Sequence, residues 1–389
     1  MKSHNFKELA EKYGTPFYLF DFEILKNRIE LLNNKLPKNA ELCYAIKANA
    51  FLLQALKDLK ILFEVCSTGE LSICHKYNVN PNHIVFSGVV KTKEDIKNAW
   101  KMHVNTITLE SLEHCRFLKE VANEENGDYI QNVLIRLSSG NQFGMSENDV
   151  LDALKILKQL KNVNFRGVHY FSGTQKKLKK IETEIQYIQD YCDNLQKMSG
   201  IEFNEIEYGP GFSFDYFAQP DFSENYNDFD AVAGLLEKSK YKFTIEAGRF
   251  IASSCGFYVS RIMDLKSTND VNYCLIDGGI NHLNYYGQIM GMKIPPVSLV
   301  KNNAYVKSEN CSNFEICGSL CTTADVITKS LPLASPAIAD FLVFKNIGAY
   351  SVTEGIYLFL SHALPCVVSY DKMEYKVLRQ SFETYKINS

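Results

Sequence analysis

Residues 41–50 read ELCYAIKANA, a short apolar run that ends in a lysine followed by small residues. The run predicts a buried strand, and alternation along it places Cys43, Ala45 and Lys47 on one face. A charged amine at the end of a buried strand is costly without a partner, and lysines in such places readily lose their proton and form Schiff bases. Lys47 is therefore a candidate catalytic residue. A lysine at the solvent-exposed end of a strand explains this stretch, taken alone, equally well.

Short apolar strands alternate with longer amphipathic segments from about residue 30 to about residue 255. Regular alternation over this length is typical of a parallel α/β architecture. Eight such strands indicate a closed (β/α)8 barrel of the TIM type rather than an open sheet. The predicted strands are Leu42–Lys47, Phe63–Cys66, His83–Phe86, Thr106–Leu109, Asn132–Leu137, Phe165–Phe171, Glu205–Tyr208 and Phe243–Glu246.

The pattern changes after about residue 256. Strand-like runs are joined there by turns and a few short helical pieces, which is typical of a mainly antiparallel β domain. The strand predicted at residues 16–20 has no helical pattern before Asp21 and is expected to join that domain. We therefore predict a barrel over residues 30–255 and a β domain formed by residues 1–29 and 256–389. Its predicted strands include Phe257–Met263, Tyr273–Ile276, Phe341–Phe344 and Val367–Tyr370.

The composition indicates a globular protein of two ordinary domains, with 389 residues, 46% hydrophobic and 22% charged. A net charge of −3 argues against electrostatic binding of nucleic acid. No apolar run approaches the length of a membrane span, and the N-terminus lacks the apolar core of a signal peptide, so we expect a cytoplasmic protein without a membrane partner. The cysteines are then expected to be reduced. Cys311, Cys317 and Cys321 lack the spacing of a zinc site, and we expect no metal.

Polar or glycine-rich clusters follow several predicted strands, where barrel enzymes place their sites. Residues 208–213 read YGPGFS, and glycines there let backbone N–H groups approach a phosphate, although an ordinary turn is the simpler explanation. Residues 246–249 read EAGR, whose carboxylate and guanidinium could hold two ends of one ligand or form a local ion pair. Three weaker clusters are DGGINH at 277–282, CGSLCTTAD at 317–325 and GAY at 348–350.

The order of these motifs along the chain resembles the fold-type III decarboxylases that depend on pyridoxal phosphate (PLP). This is the family of diaminopimelate and ornithine decarboxylases, which is related in fold to alanine racemase. The resemblance extends from about Tyr18 to about Val368. It implies a PLP-binding barrel, a C-terminal β domain that takes in the N-terminal strand, and a head-to-tail homodimer with two shared active sites.

The resemblance also implies a role for each matching residue. Lys47 is implied to hold PLP covalently, and Glu246 to pair with the pyridine nitrogen, whose proton makes PLP a strong electron sink. Cys321, donated by the partner subunit, matches the cysteine that protonates the substrate carbon. The remaining matches are the phosphate-binding positions Arg249, Gly209, Gly211 and Thr174, the tyrosine near the phosphate, Tyr350, and two polar positions around the lysine and the barrel floor, Glu64 and Arg136.

The departures from the family pattern concern the substrate. Phe171 stands where family members place a histidine over the PLP ring, and it can stack but cannot donate a hydrogen bond. Thr322 occupies the place of the acid that binds the distal amine in diaminopimelate and ornithine enzymes. Tyr285 lies near the place of the arginine that binds the distal carboxylate of diaminopimelate. We assign to the substrate pocket Thr322, Tyr285, Glu354 and His282.

A pocket built to bind a distal amine and carboxylate has unpaired buried polar groups when the substrate lacks them. A pocket without such binding groups leaves the distal amine and carboxylate of the substrate unpaired in turn. Because both distal partners are missing, diaminopimelate is expected to be a poor substrate. In these departures the sequence is more similar to the secondary-metabolism subgroup of the family. That subgroup includes siderophore- and antibiotic-pathway decarboxylases and one that acts on an aminoacyl group held by an acyl-carrier protein. We therefore predict a PLP-dependent decarboxylase of a modified, conjugated or carrier-linked amino acid. A PLP-dependent racemase and a non-catalytic PLP-binding regulator are the alternatives.

Overall fold

The computed structural model describes residues 4–125, 127–219, 226–302 and 311–389. The chain divides into two compact units. One comprises Arg28–Phe214 and Asn225–Ile251, and the other comprises Met1–Asn27, Asp215–Glu224 and Ala252–Ser389. The sequence analysis predicted a continuous barrel over residues 30–255, whereas this division groups the described residues 215–219 with the second unit.

Three elements precede the barrel: helix α1 (Phe6–Tyr13), strand β1 (Phe17–Asp21) and helix α2 (Phe22–Lys35). The side chain of Asn5 caps α1 by accepting the backbone N–H of Glu8. The expectation that no helix precedes the first strand is therefore wrong. Only two residues of this eight-residue helix are buried, so its apolar pattern is too short to stand out in the sequence.

Eight parallel strands close into a barrel in chain order, with the last strand paired to the first. They are β2 (Ala40–Ala45), β3 (Leu62–Val65), β4 (Ile84–Phe86), β5 (Thr106–Leu109), β6 (Gln131–Arg136), β7 (Val163–Phe171), β8 (Glu205–Gly209) and β9 (Lys242–Ala247). The predicted (β/α)8 barrel is thus confirmed, and every predicted barrel strand overlaps an observed one.

Helices supply the crossovers that parallel strands require. They are α3 (Leu53–Leu56), α4 (Thr68–Lys76), α5 (Lys93–Lys101), α6 (Leu112–Glu124), α7 (Glu147–Leu157), α8 (Leu178–Ser199) and α9 (Asn227–Glu237), and the short helix α10 (Arg249–Ala252) follows the last barrel strand. Hydroxyl side chains fix where several of them begin, since Ser67, Thr92, Ser111 and Ser146 each accept a backbone N–H of the first turn. No helix in the described ranges combines the length and apolar composition needed to cross a membrane.

The barrel interior changes from apolar to polar along the strands. Cys43, Leu62 and Val85, on three neighbouring strands, form a small buried apolar cluster. Because side chains alternate along a strand, the next inward residue after Leu62 is Glu64, and the next after Val85 is Ser87. The carboxyl ends of the strands therefore carry the polar groups, as in other barrel enzymes.

The other unit contains a mixed sheet of nine strands among the described residues. It joins β1 to β10 (Gly256–Thr268), β11 (Val271–Ile276), β12 (Val297–Val300), β13 (Cys311–Cys317), β14 (Val326–Ala334), β15 (Phe341–Lys345), β16 (Cys366–Asp371) and β17 (Glu374–Arg379). Strand β1 lies between β10, to which it is antiparallel, and β16, to which it is parallel. Most other pairs are antiparallel, and β11 with β13 is a second parallel pair.

Candidate active site

Lys47 lies at the carboxyl end of the first barrel strand. Strand β2 ends at Ala45, and the chain then turns through a short 3-10 helix, Ile46–Ala48. Lys47 therefore lies just beyond the strand instead of within it, although its side chain still reaches the inward-facing Glu64. Its two neighbours in the turn are buried, whereas the Lys47 side chain is 40% exposed. The Tyr44 hydroxyl donates to the carbonyl oxygen of Asn49 at 3.1 Å and so stabilises the end of the turn.

Two buried carboxylates hold the Lys47 ammonium. The Nζ atom donates to Oε2 of Glu64 at 2.9 Å and to Oε1 of Glu246 at 3.2 Å. Partial burial by itself lowers the pKa of Lys47, but the charges of Glu246 and Glu64 outweigh it and hold this pKa well above the usual value. Burial likewise opposes ionisation of Glu246, yet Lys47 and His169 hold the pKa of this carboxyl below its usual value. The structure thus brings three of the predicted site residues, Lys47, Glu64 and Glu246, within hydrogen-bond distance.

Glu64 is oriented by two further side chains that the sequence analysis did not single out. The Cys66 thiol donates to Oε1 of Glu64 at 2.8 Å, and the Ser87 hydroxyl donates to the same oxygen. The Cys66 sulfur also lies 3.6 Å from Nζ of Lys47. Burial and the charge of Glu64 raise the pKa of Cys66, so this thiol is a neutral donor and not a thiolate. Cys66 and Ser87 are each the first residue after a strand, a position where site residues could have been sought.

Glu246 also belongs to a buried cluster with a histidine and a third glutamate. Nε2 of His169 lies 3.4 Å from Oε2 of Glu246. One nitrogen or carboxyl oxygen from each of His169, Glu207 and Glu246 lies within 4.8 Å of the other two. The strand register explains this, because His169 and Glu207 are partners across β7 and β8. Such groups can also bind metal ions, but here Lys47 already supplies the positive charge beside Glu246.

The predicted phosphate loop has a backbone that excludes side chains. Gly211 has a φ of 61°, and a Cβ at this position would lie 2.1 Å from the carbonyl oxygen of Gly173 and 3.0 Å from the Cα of Thr174. A Cβ on Gly209 would lie 2.5 Å from the ring of Phe171. The loops after β7 and β8 therefore approach each other closely, and bare backbone of this kind suits an anion such as phosphate.

Arg249 and Tyr350, also predicted near the phosphate, lie in different units. Arg249 is half-buried and begins α10, two residues after the end of β9. Tyr350 is half-buried in the β unit, with a φ of 68°, and its carbonyl oxygen accepts the backbone N–H groups of Thr353 and Glu354 at 2.8 Å. The roles of both residues at a phosphate remain predictions.

Arg136 has a structural partner of its own. Its guanidinium donates to Glu110 and lies over the ring of Phe143, 5.0 Å from the ring centroid. Glu110 also accepts the backbone N–H of Gly144 at 2.9 Å. These contacts hold the loop after β6 in place, and they connect Arg136 to this loop instead of to Lys47. Its assignment to cofactor binding remains a prediction.

A buried carboxylate organises the Cys321 segment in the β unit. Asp325 accepts the backbone N–H groups of Ile280 and Leu320, each at 2.8 Å. The aspartate thereby joins the motif at residues 277–282 to the motif at residues 317–325. Cys321 itself is exposed on this ordered segment.

Two residues predicted to contact the substrate are buried inside the β unit. Tyr285 is 3% exposed, and its hydroxyl donates to the carbonyl oxygen of Lys345 at 2.8 Å. His282 is also 3% exposed and shares hydrogen bonds with the Tyr258 hydroxyl at 3.0 Å and the Asn281 amide at 3.2 Å. Burial lowers the pKa of His282 to about 3, so the ring is neutral. Both side chains have hydrogen-bond partners within the β unit, and their assignment to the substrate pocket remains a prediction.

The other two predicted substrate contacts keep exposed side chains. The Thr322 hydroxyl accepts the backbone N–H of Ala324 at 3.2 Å. One carboxyl oxygen of Glu354 accepts the side-chain amide of Asn284 at 2.8 Å, and the other is open to a further partner. Thr322 and Glu354 remain candidates for substrate recognition.

The barrel residues fit the chemical groups of PLP. Lys47 offers an amine at the carboxyl end of the barrel, where an aldehyde can reach it. Glu246 offers a buried carboxylate of low pKa for a ring nitrogen. Gly209 and Gly211 offer bare backbone for a phosphate. All four residues belong to one unit.

Comparison with known proteins agrees with this fit. Residues 23–253 match the family model described as "Pyridoxal-dependent decarboxylase, pyridoxal binding domain". An L-glutamyl-[BtrI acyl-carrier protein] decarboxylase of Niallia circulans is 24% identical over 96% of this chain and 92% of that protein. A 2-[(L-alanin-3-ylcarbamoyl)methyl]-2-hydroxybutanedioate decarboxylase of Staphylococcus aureus is 25% identical over 92% of this chain and 94% of that protein. The fold matches the crystal structure of Helicobacter pylori diaminopimelate decarboxylase complexed with L-lysine, with a TM-score of 0.84 and 21% identity over 98% of both chains.

Proposed function

We infer that this chain, which belongs to the pyridoxal-dependent decarboxylase family, removes CO2 from an amino acid with PLP as its cofactor. We propose that this amino acid is modified, conjugated or carried by a protein. The observation that carries the proposal is the Lys47 ammonium at the carboxyl end of the barrel, 2.9 Å from Glu64 and 3.2 Å from Glu246. A buried ion pair is weak evidence of a purely structural role, and an amine held by two buried carboxylates at the end of a barrel is typical of an active site.

PLP, when bound, supplies the electron sink that stabilises the negative charge left at the substrate carbon by the loss of CO2. Lys47 would hold the cofactor covalently. Glu246 would bind the ring nitrogen, and the low pKa of this carboxyl keeps it ionised and the nitrogen protonated. The other residues proposed to hold PLP are Phe171 at the ring face and, at the phosphate, Thr174, Gly209, Gly211, Arg249 and Tyr350.

Glu64 governs the position and the proton of the catalytic amine. It accepts hydrogen bonds from Lys47, Cys66 and Ser87, so its carboxylate is held on three sides. An anion fixed at 2.9 Å from Nζ keeps the amine directed toward the barrel mouth and stabilises a proton on it. The neutral Cys66 thiol and the Ser87 hydroxyl orient Glu64 without adding charge to the site.

We propose that the enzyme is a head-to-tail homodimer in which Cys321 of one chain serves the barrel of the other. The thiol would give its proton to the substrate carbon after CO2 has left, so that an S–H bond breaks and a C–H bond forms. The proposal is supported by the exposure of Cys321 on a segment that Asp325 holds in place. The β unit also exposes large apolar side chains typical of an interface, namely Tyr286, Ile289, Met290 and Met292.

We propose further that the substrate lacks the distal amine and carboxylate of free diaminopimelate. Thr322 offers a hydroxyl where a distal amine would need an acid, and the buried hydroxyl of Tyr285 is already bonded. The relatives that act on a carrier-linked glutamyl group and on a conjugated amino acid support a modified substrate in place of free diaminopimelate. Such substrates are typical of secondary metabolism.

We also place the enzyme in the cytoplasm, because its eleven cysteines are free thiols and the cytoplasm keeps thiols reduced.

The test of this function is CO2 release by the PLP-loaded enzyme from a panel of amino acids. The panel contains diaminopimelate, lysine, ornithine and glutamate in free form, together with a glutamyl group on an acyl-carrier protein and an amide-conjugated diaminopropionate. We expect turnover of a conjugated or carrier-linked member, and none by Lys47→Ala. Rapid turnover of free diaminopimelate would contradict the substrate proposal, and PLP-dependent racemisation without CO2 would contradict the reaction.

A further inference from the structure

Glu207 is a buried glutamate for which the decarboxylation chemistry above has no use. It lies on β8 with 1% of its surface exposed, and it faces the interior of the barrel. Neither of its carboxyl oxygens has a hydrogen-bond partner among the described residues. An ionised carboxylate in such a place would lose its hydration without compensation, which is among the most costly arrangements in a protein interior.

Its surroundings make a negative charge still less favourable. Glu207, His169 and Glu246 approach one another within 4.8 Å, and the Lys47 ammonium is already shared by Glu64 and Glu246. An ionised Glu207 would therefore add a third negative charge to a group whose ammonium already serves two carboxylates. The titratable groups that face it from the surrounding elements are His169 on β7, Glu246 on β9, Glu64 on β3, Glu41 and Cys43 on β2, and Lys47 in the turn after β2.

We propose that Glu207 is a protonated, neutral carboxylic acid in the folded enzyme and acts as a positioning residue for Glu246. A protonated carboxyl has an O–H donor, which an ionised one lacks. Glu246 offers carboxylate acceptors within 4.8 Å, a separation that a torsion change or one bridging water can span. Burial and the charges of Glu246 and Glu64 also raise the pKa of Glu207 well above its usual value.

The arrangement leaves one negative charge where the cofactor needs it. If Glu207 were ionised, its repulsion would favour a proton on Glu246, which could then no longer keep a ring nitrogen protonated. As a neutral donor, Glu207 holds Glu246 in its ionised form and fixes the direction of that carboxylate. This second role rests on the proposed function, whereas the protonation of Glu207 does not depend on PLP.

The pH dependence of unfolding tests the proton directly. A glutamate in the unfolded chain has a pKa of about 4.3. Above that pH the unfolded chain releases the proton that the folded chain keeps, so a rise in pH favours unfolding of the wild type. Glu207→Gln has no proton to lose at this position, so this contribution to the pH dependence is absent from the variant. Relative to the variant, the unfolding equilibrium constant of the wild type should rise about tenfold per pH unit, or about a hundredfold from pH 5.5 to 7.5. The unfolding free energies of the two holoenzymes are measured by guanidinium titration at each pH and at one protein concentration. If both free energies changed with pH by the same amount, the proposal would be overturned.

Infrared spectroscopy provides a second measurement, which needs no change in stability. The difference spectrum between wild type and Glu207→Gln at neutral pH should contain the C=O stretching band of a protonated carboxylic acid. Glu94→Gln is the matched control, because this exposed glutamate undergoes the same chemical change and should remove only carboxylate bands. A carboxylate band in place of the acid band for Glu207 would overturn the proposal. If Glu207→Gln does not fold, the acid band can be sought in the wild type alone by its persistence above pH 6, where exposed glutamates are ionised.

The positioning role is tested by the affinity for PLP and by the pH midpoint of the visible absorption of the holoenzyme. Gln keeps a neutral donor, so Glu207→Gln should match the wild type within about twofold in PLP affinity. Glu207→Leu lacks the donor, and its affinity should fall about tenfold, the loss expected for one hydrogen bond to a charged group. Equal effects of Gln and Leu would refute the positioning role. If PLP does not bind to the wild type at all, the proposed function fails, while the infrared result still decides the protonation of Glu207.

Discussion

The replacement Glu64→Gln should make Lys47 react faster with PLP at neutral pH. In the protein without cofactor, Lys47 must lose a proton before its nitrogen can attack an aldehyde. Glu64 opposes that loss because its carboxylate lies 2.9 Å from the ammonium. Gln keeps the size and one oxygen of the side chain but removes the negative charge, so the pKa of Lys47 should fall and the fraction of free amine should rise.

The size of the effect follows from the geometry. At 2.9 Å, and at an effective dielectric constant of about 20, Coulomb's law gives an attraction of about 6 kcal/mol as an upper limit. The true value is much smaller, because the Lys47 side chain is 40% exposed and Glu246 remains beside it. We take about 1.4 kcal/mol, which is a pKa decrease of about one unit and a tenfold rise in free amine at pH 7.

The assay is the rate of covalent PLP capture by cofactor-free protein between pH 6 and pH 9, followed by visible absorption. The rate of the wild type should increase about tenfold per pH unit, and that of Glu64→Gln should follow the same line displaced by about one unit to lower pH. Glu41→Gln is the matched control, because it removes the same charge at a distance from Lys47. Glu41 lies near the start of β2, whereas Lys47 follows the end of that strand. A profile of Glu64→Gln that coincides with the wild type, or moves to higher pH, would refute the assignment of Glu64.

Further predictions concern the phosphate loop, the assembly and the substrate. Gly211→Ala should weaken PLP binding at least tenfold in a fluorescence titration, because its Cβ would lie 2.1 Å from a backbone oxygen, whereas Gly234→Ala, in open space, should not. Lys47→Ala and Cys321→Ala proteins should each be impaired, and subunit exchange between them should restore part of the activity; proven exchange without recovery would contradict a shared site. Free diaminopimelate should be turned over at least a hundredfold more slowly than a conjugated substrate, since two charge-assisted contacts of roughly 1.5–3 kcal/mol each are missing. Thr322→Glu should then improve turnover of substrates with a distal amine, and no improvement would count against the assigned position.

The barrel was predictable because its strands are short apolar runs at regular intervals. Parallel strands covered by helices are buried on both faces, so each run is nearly continuous in the sequence. The end of β2 was less predictable, because Ile46 continues the apolar run although it already belongs to the 3-10 turn. Helix α1 was missed although Phe6, Leu9, Ala10 and Tyr13 follow helical spacing, because two turns make only a short pattern.

The site was predictable only in part. Lys47 and Glu246 belong to recognisable motifs, and Glu64 followed from the resemblance to a known family. The sequence offered no motif for four further residues of the site, namely Cys66, Ser87, His169 and Glu207. Their proximity depends on the register between strands that are separated in the sequence, so it becomes visible only in the structure.

The expected substrate residues show the opposite limit. A position in a loop of the family does not determine which way a side chain points, and Tyr285 and His282 point into the β unit, where each has a hydrogen-bond partner. Thr322 and Glu354 lie on the surface of the same unit, and their role in substrate recognition remains a prediction.

Borohydride reduction of the PLP-loaded protein, followed by mapping of the modified peptide by mass spectrometry, tests the central claim most directly. The account predicts one reduced pyridoxyl group per chain, on Lys47, and loss of the visible absorption with it. The neighbouring carboxylates single out this amine, at 2.9 Å from Glu64 and 3.2 Å from Glu246. Labelling of a different lysine, or no label on a protein that binds PLP, would contradict the assignment of Lys47 and with it the proposed active site.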